Sequence, residues 1–137
     1  GPARDAARAH ARLILDLRAR RRRIALISGG ETTVSVTNPG ARGGRNGEYL
    51  LALALALGPD AGVHALAADT DGLDGTGDNA GALLTLDTLK RADQLGLVAD
   101  GYLARQCSYD FFSALGDLVV TGPTRTNVND LRIALVH

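Results

Sequence analysis

Three polar segments interrupt an otherwise aliphatic chain: Ser28-Gly-Gly-Glu-Thr-Thr33, Asp69-Thr-Asp-Gly-Leu-Asp-Gly75 and Thr121-Gly-Pro-Thr-Arg-Thr-Asn-Val-Asn-Asp130. Each adjoins a run that reads as a buried strand, and loops held rigidly by strand ends are where binding and catalytic groups concentrate. Their glycines, hydroxyls and carboxylates are the groups that hold phosphate oxygens, small polyols and divalent metal ions. Asp69, Asp71, Asp74 and Asp78 fall within ten residues, with Gly72, Gly75 and Gly77 permitting the tight backbone that lets carboxylates converge. Asp69 and Asp71 follow a strand directly, the position from which open α/β sheets bind ligands. An EF-hand does not fit, because Leu73 and Ala80 stand at its fifth and twelfth positions. Any one of these aspartates could equally cap a helix or close an Asx-turn.

Gly40-Ala-Arg-Gly-Gly-Arg-Asn46 opens a helix, so free backbone N–H groups and a positive dipole end lie beside Arg42 and Arg45. That is an anion site in principle, and an ordinary glycine-containing helix start otherwise. Neither a P-loop nor a Gly-x-Gly-x-x-Gly fingerprint occurs. Ser28 lacks the nucleophile-elbow frame, since Leu26 stands where its first glycine belongs. The density of short hydrogen-bonding side chains in Thr121, Thr124, Thr126, Asn127, Asn129 and Asp130 exceeds what one turn requires and marks a binding loop. His10, His64 and His137 are scattered and read as surface or core filler.

The elements that must position these loops follow from periodicity. Residues 3–22 read as a helix with Ala6, Ala9, Leu13 and Leu17 on its apolar stripe. Ile24–Ile27 and Thr32–Thr37 read as two strands of a hairpin about the Ser28-Gly29-Gly30 break. Glu48–Leu57 is apolar on every face and predicts a buried helix stopped by Gly58-Pro59. Strands are expected over 63–68, 80–84, 117–120 and 130–136, the last with Leu131, Ile133 and Leu135 facing inward, and helices over 87–95, 98–105 and 109–115. The expected fold is an α/β layered sandwich, a mixed sheet with helices packed on it.

At 137 residues the chain fits one domain with a core of Ala, Leu and Val, 45% of it apolar and only 4% aromatic. It contains no methionine, so it is expected to be a processed product or an excised piece, and Gly1-Pro2 could be a protease scar. A single cysteine, Cys107, rules out an internal disulfide and any multi-cysteine zinc site. No stretch reaches the roughly 20 apolar residues of a membrane span and no signal peptide is visible, which points to the cytoplasm. Net charge is zero but lopsided. Residues 1–45 hold ten arginines against Asp5, Asp16 and Glu31, a surplus of +7; residues 60–130 hold eleven aspartates against Lys90, Arg91, Arg105 and Arg125, a surplus of −7. The cluster Arg18 to Arg23 fits a helix C-terminus, and without interleaved aromatics it does not suggest nucleic acid.

With these motifs laid out, the chain resembles the MOFRL domain, the C-terminal part of type II glycerate kinases, many of which carry the label hydroxypyruvate reductase. The resemblance rests on Ser28-Gly-Gly-Glu-Thr-Thr-Val34, Gly43-Gly-Arg-Asn46 with Glu48, Ala67-Ala-Asp-Thr-Asp-Gly72 with Asp74-Gly75, and Thr121-Gly-Pro-Thr124 with Thr126-Asn-Val-Asn-Asp130. The family usually has Gln where Gly47 stands and Gly where Arg125 stands. The resemblance implies ATP-dependent phosphorylation of D-glycerate to 2-phosphoglycerate, in a cleft shared with a larger N-terminal glycerate kinase domain absent from this chain. It implies that Arg45 pairs with the glycerate carboxylate or a phosphate. Asp69 and Asp71, with Asp74 as a third candidate, would hold Mg²⁺ or orient the substrate hydroxyl. Ser28, Gly29, Gly30, Glu31, Asn46, Gly122 and the rest of the Thr121–Asp130 loop would contact substrate or nucleotide. Replacing Arg45 by Ala is then expected to cut turnover and leave the fold intact. Two other readings stay open: an oxidoreductase acting on hydroxypyruvate, and a non-catalytic folding or binding module. The implied partners are the N-terminal domain and a small hydroxy acid, with no nucleic acid or membrane, and a homodimer remains open.

Overall fold

A helix that is apolar on every face has to be enclosed, and the leucine-rich run is: Leu50, Leu51 and Leu53 are fully buried in helix α2, Arg45–Leu57. The structure, a computed structural model, describes residues 2–75 and 77–137. Around α2 lie α1 (Ala3–Ala19), β1 (Ile24–Gly30), β2 (Val63–Asp69), β3 (Gly81–Leu84), α3 (Thr88–Gln94), α4 (Ala99–Ala104), α5 (Ser108–Leu115), β4 (Leu118–Val119) and β5 (Asp130–Val136). The sheet runs in the order β1-β5-β2-β3-β4, with α2 lying on β2 and β3 and α1 packed on α2. This is the expected α/β sandwich with helices on the sheet. All strand pairs within the sheet are antiparallel, and the parallel component is one isolated bridge between Pro2 and Thr33.

Three local expectations give way to longer-range packing. The hairpin does not form: β1 continues through Ser28, Gly29 and Gly30, and its whole length pairs with β5 about a hundred residues later, while 32–37 carries only the bridge at Thr33. The buried stripe of α1 is Ala3, Ala7, Ala11 and Ile14, whereas Ala9 and Leu13 are exposed. Alanines on that stripe let α1 approach α2 closely, which the bulkier leucines would prevent. In β5 the alternation is correct and the face is reversed. Asp130, Arg132, Ala134 and Val136 point to the helices, and Leu131, Ile133 and Leu135 to the other side. Because α2 is built of leucines, the floor beneath it is small, consisting of Ala65, Ala67, Ala82 and Ala134. The larger aliphatics therefore fall on the uncovered face, where Ile27, Ile133, Leu66 and Leu83 are register partners in one row across four strands. Among the described residues no helix is long and apolar enough to cross a membrane, and Cys107 is free.

Polar contacts between α1 and α2 lock their relative position. Arg4 Nη2 reaches Glu48 Oε1 at 3.2 Å and donates to the Leu103 carbonyl at 2.7 Å, and His10 Nδ1 lies 2.6 Å from the Tyr49 hydroxyl. Burial pushes the Tyr49 hydroxyl up to about 12, so the phenol stays neutral and hydrogen-bonded. Burial, and then the positive charge of Arg132, hold His10 below its ordinary value of 6.5. The folded state thus binds fewer protons at this ring than the unfolded chain does. The stability His10 contributes is present above pH 6.5 and is lost as pH falls through the window beneath it. Melting of the parent protein should drop more steeply between pH 6.5 and 5 than that of His10→Gln. Parallel melting curves for the two proteins over this range would show that the ring carries no such linkage.

Candidate functional site

Register brings the site together. Gly30, Asp130 and Asp69 are cross-strand partners in one row at the end of β1, β5 and β2, and both carboxylates face the helical side, 4% exposed at Asp69 and 2% at Asp130. Like charges directly opposite on neighbouring strands repel, so a cation is needed between them. Arg45, the first residue of α2, supplies it. Its Nε donates to Asp130 Oδ1 at 3.1 Å and Oδ2 at 2.8 Å, its Nη2 donates to Asp69 Oδ2, and Glu31 Oε1 stands 3.7 Å from Nη2. The hydrogen bond to Asp130 raises the Arg45 guanidinium pKa further above its already high value, against the pull of burial. Burial pushes Asp69 up from the usual carboxylate range, while the Asp71 N–H at 3.2 Å and Arg45 pull it back. Asp130 also accepts from Asn46 Nδ2 at 2.9 Å and from the Thr32 N–H at 3.5 Å. Arg45 Nη1 makes no bond to the described residues, which leaves one edge of a planar cation facing outward, a shape suited to carboxylate or phosphate oxygens.

A second arginine stands behind the first. Arg132, buried on the same face of β5, places Nη1 3.7 Å from Asp130 Oδ2, donates from Nη2 to the Gly29 carbonyl at 2.5 Å and to Ser28 Oγ at 3.3 Å, and lies over the Tyr49 ring. Ser28 and Gly29 therefore meet the site through Arg132. The sequence reading passed over this residue because it sits in an apolar run, where the informative signal was a charge at an alternation position.

The acidic and Thr/Asn loops are stitched to each other beside this cluster. Thr70 N and Oγ1 donate to the Asn129 carbonyl at 3.1 and 2.6 Å, Val128 N donates to Thr70 Oγ1 at 2.9 Å, Thr124 N donates to the Asp71 carbonyl at 3.1 Å and Thr124 Oγ1 to that of Thr70. Gly72 sits at φ 93°, and a β-carbon there would lie 2.1 Å from the Gly122 carbonyl oxygen, so the two loops can close only over glycine. Asp71 Oδ1 accepts from Leu73 N in an Asx-turn. Thr121, Thr126, Asn127 and Asn129 are exposed and spend hydrogen bonds on their own loop, among them Asn127 Oδ1 accepting from Asn129 N at 3.0 Å.

Asp74 does something else. Its Oδ1 accepts from the Asn46 N–H at 3.0 Å and its Oδ2 from the Gly47 N–H at 2.9 Å, so it caps α2 from a distant loop. Gly44 is required at this contact because a β-carbon would come 2.3 Å from the Asp74 carboxyl carbon. The expected anion site at this helix start is thus filled by the protein's own carboxylate. Burial raises the Asp74 pKa, opposed by the donors from Asn46 and Gly47. With Asp74 spent on the helix and Asp69 on Arg45, the three aspartates do not form a shared ligand set, and among the described residues no three acidic, histidine or cysteine side chains converge as a metal group.

A model of the MOFRL family matches residues 24–130. The chain belongs to the MOFRL family. Over 99% of its length it is 47% identical to an Agrobacterium vitis protein provisionally named hydroxypyruvate reductase, covering 32% of that protein. It is 46% identical over 112 residues to a Thermotoga maritima protein named D-glycerate 2-kinase, covering 82% of this chain and 27% of that one. A solved glycerate kinase from Thermotoga maritima superposes with a TM-score of 0.92 at 40% identity, covering 99% of this chain and 34% of that chain. This MOFRL chain therefore spans about a third or less of these relatives. Its two departures from the usual family pattern have structural settings. Arg125 sits at φ 61°, in the left-handed region that glycine occupies most easily. A β-carbon at Gly47 would stand 2.6 Å from Ser108 Oγ.

Two stability consequences follow. Arg45→Ala would strand two buried carboxylates, so the fold is not indifferent to that change, contrary to the sequence-based expectation. Asp74→Ala removes both acceptors from the first turn of α2 and should cost about 1–3 kcal/mol in chemical denaturation, with Asp74→Asn intermediate. An Ala variant as stable as the parent would show that the helix start needs no such cap.

Proposed function

We propose that this MOFRL domain is the C-terminal part of a glycerate 2-kinase that transfers the terminal phosphate of ATP to D-glycerate at a site shared with an upstream domain. The observation that carries this reading is the outward edge of Arg45, a guanidinium locked between Asp69 and Asp130 at the strand ends. The similarity to proteins named as glycerate kinases supports it. Phosphoryl transfer asks a protein for positioning and charge stabilisation more than for covalent chemistry. Arg45 Nη1 would hold the glycerate carboxylate or the oxygens of the transferring group. Asp69, beside it, would orient the acceptor hydroxyl and take its proton as the new P–O bond forms and ADP leaves. Glu31 and the loop of Thr124 to Asn129 would border the substrate. Mg²⁺, when bound, neutralises phosphate charge. The carboxylates here fit an ion that arrives with the nucleotide: Asp69 is tied to Arg45 and Asp74 to the helix start, whereas the Asp71 side chain accepts only from the Leu73 N–H among the described residues. An ATP-dependent kinase of this kind would work in the cytoplasm.

The complete protein, supplied with D-glycerate and ATP, should form 2-phosphoglycerate, and the domain alone should not. Arg45→Lys keeps a cation between the carboxylates and loses the planar fork. It should lower turnover on the order of a hundredfold with little loss of melting temperature. Unchanged kinetics in that variant would remove Arg45 from the site. The name of the Agrobacterium vitis relative favours a second reading, reduction of hydroxypyruvate. Oxidation of a reduced nicotinamide cofactor by hydroxypyruvate, in place of ATP consumption by glycerate, would establish that reading instead.

A further inference from the structure

Unspent hydrogen-bonding capacity gathers in one place. Four buried polar atoms among the described residues lack a partner: Thr32 Oγ1, Asn46 Oδ1, Ser108 Oγ and Arg132 Nη1. Thr32, Asn46 and Arg132 belong to residues that contact Asp130, and Ser108 packs against Gly43 and Gly47 beside Asn46. Unpartnered buried groups cost stability and are few in native proteins, so a cluster of them marks a position kept for something other than folding.

Thr32 and Ser108 both line a cavity of about 400 Å³ with Arg45 and Glu48 at one end. One wall of it is the irregular segment after β1, including Val34, Val36, Pro39 and Ala41, with Val36 70% exposed. That wall is pinned in place. Gln106 Oε1 accepts from the N–H groups of Thr37 at 2.8 Å and Asn38 at 3.1 Å, and Gln106 Nε2 donates to the Ser35 carbonyl at 2.5 Å. Arg42 pairs with Asp110 and lies over the Tyr109 ring, holding the far end. The volume falls in the roughly 300–1,000 Å³ range of small-molecule and cofactor sites. A three-carbon acid would leave most of it empty, and an apolar wall offers such a polar anion nothing. A ligand with a flat apolar part, a hydroxylated middle and an anionic end fits all three regions.

We infer that this cavity takes the nucleoside half of the phosphoryl donor, with the base against Val34, Val36 and Pro39, the sugar hydroxyls at Thr32 and Ser108, and the phosphates directed to Arg45. This rests on the kinase reading above and adds where the donor lies. Each of the two buried hydroxyls would reach the ligand by a rotation about χ1. Because neither hydroxyl is used by the fold, removing it separates binding from stability.

The experiment uses the complete enzyme titrated with ADP by calorimetry, together with KM values for ATP and D-glycerate, for the parent, Thr32→Val, Ser108→Ala and Val36→Trp. Thr32→Val and Ser108→Ala should melt no lower than the parent and bind ADP about three- to tenfold more weakly, as one lost hydrogen bond predicts. Val36→Trp, a change on the exposed wall that fills the cavity, should weaken ADP by at least as much. KM for D-glycerate should stay the same in all three. ADP affinity unchanged across the three variants, or a rise in the D-glycerate KM in its place, would overturn the inference. So would a parent protein that does not bind ADP. A parent that binds ADP and does not phosphorylate glycerate would sink the kinase reading while leaving the nucleotide assignment standing.

Discussion

One buried carboxylate organises this domain. The Asp130 side chain has no exposed surface, and it receives Arg45, Asn46 and the Thr32 amide while Arg132 stands within 3.7 Å. These partners come from α2, from the segment after β1 and from β5 itself, so a single ion ties the start of the central helix to the strand ends of the sheet. An isolated buried carboxylate would be very costly. Its partners therefore have to be in place for the fold to form, and the site is assembled by the same contacts that hold the helix. Asp74 completes the arrangement from the other side of α2, where its two oxygens satisfy the helix's first free amides. The end of α2 is held between two aspartates from different loops, which gives the outward edge of Arg45 its fixed aim.

The lopsided distribution of charge has a physical location. Arginines from the first third of the chain meet acidic groups from the rest at Arg45 with Asp69 and Asp130, and at Arg42 with Asp110. The clustered arginines after α1 take a smaller part: Arg18 donates to the Asp60 carbonyl, and Arg20 pairs with Asp16 one turn back. Long-range attraction between the halves thus converges mainly on the rim where the three polar loops meet, and surface pairs elsewhere contribute little.

Much of this was legible in the residues. The leucine run had to be an enclosed helix, the loops had to sit at strand ends, and glycine spacing allowed carboxylates to gather. A common rim for Arg45, Asp69 and the loop of Thr124 was expected from those features together, whereas Asp130 as the buried counter-ion of Arg45 was not. What escaped reading depended on partners distant in the chain. The β1 glycines look like a turn until β5 arrives to pair with them. The β5 leucines look like core until the bulk of α2 claims the space on its side, so that Ala134 and Val136 face it in their place. Asp74 carries no local sign that it caps a helix beginning 29 residues earlier at Arg45. Ser108 and Thr32 are ordinary hydroxyl residues in sequence, and only their lack of partners in the folded chain sets them apart.

The charge of Asp130 holds the helix start and the site together, and the most direct test of this is the unfolding free energy of Asp130→Asn against the parent. The amide keeps the size of the side chain and part of its hydrogen bonding while removing the charge that faces the buried Arg132 and the half-buried Arg45, which is left with Asp69. A loss of roughly 3–5 kcal/mol is predicted, the magnitude measured when one member of a buried ion pair is removed. Equal stability of the two proteins would contradict the claim that this carboxylate holds the helix and the site together.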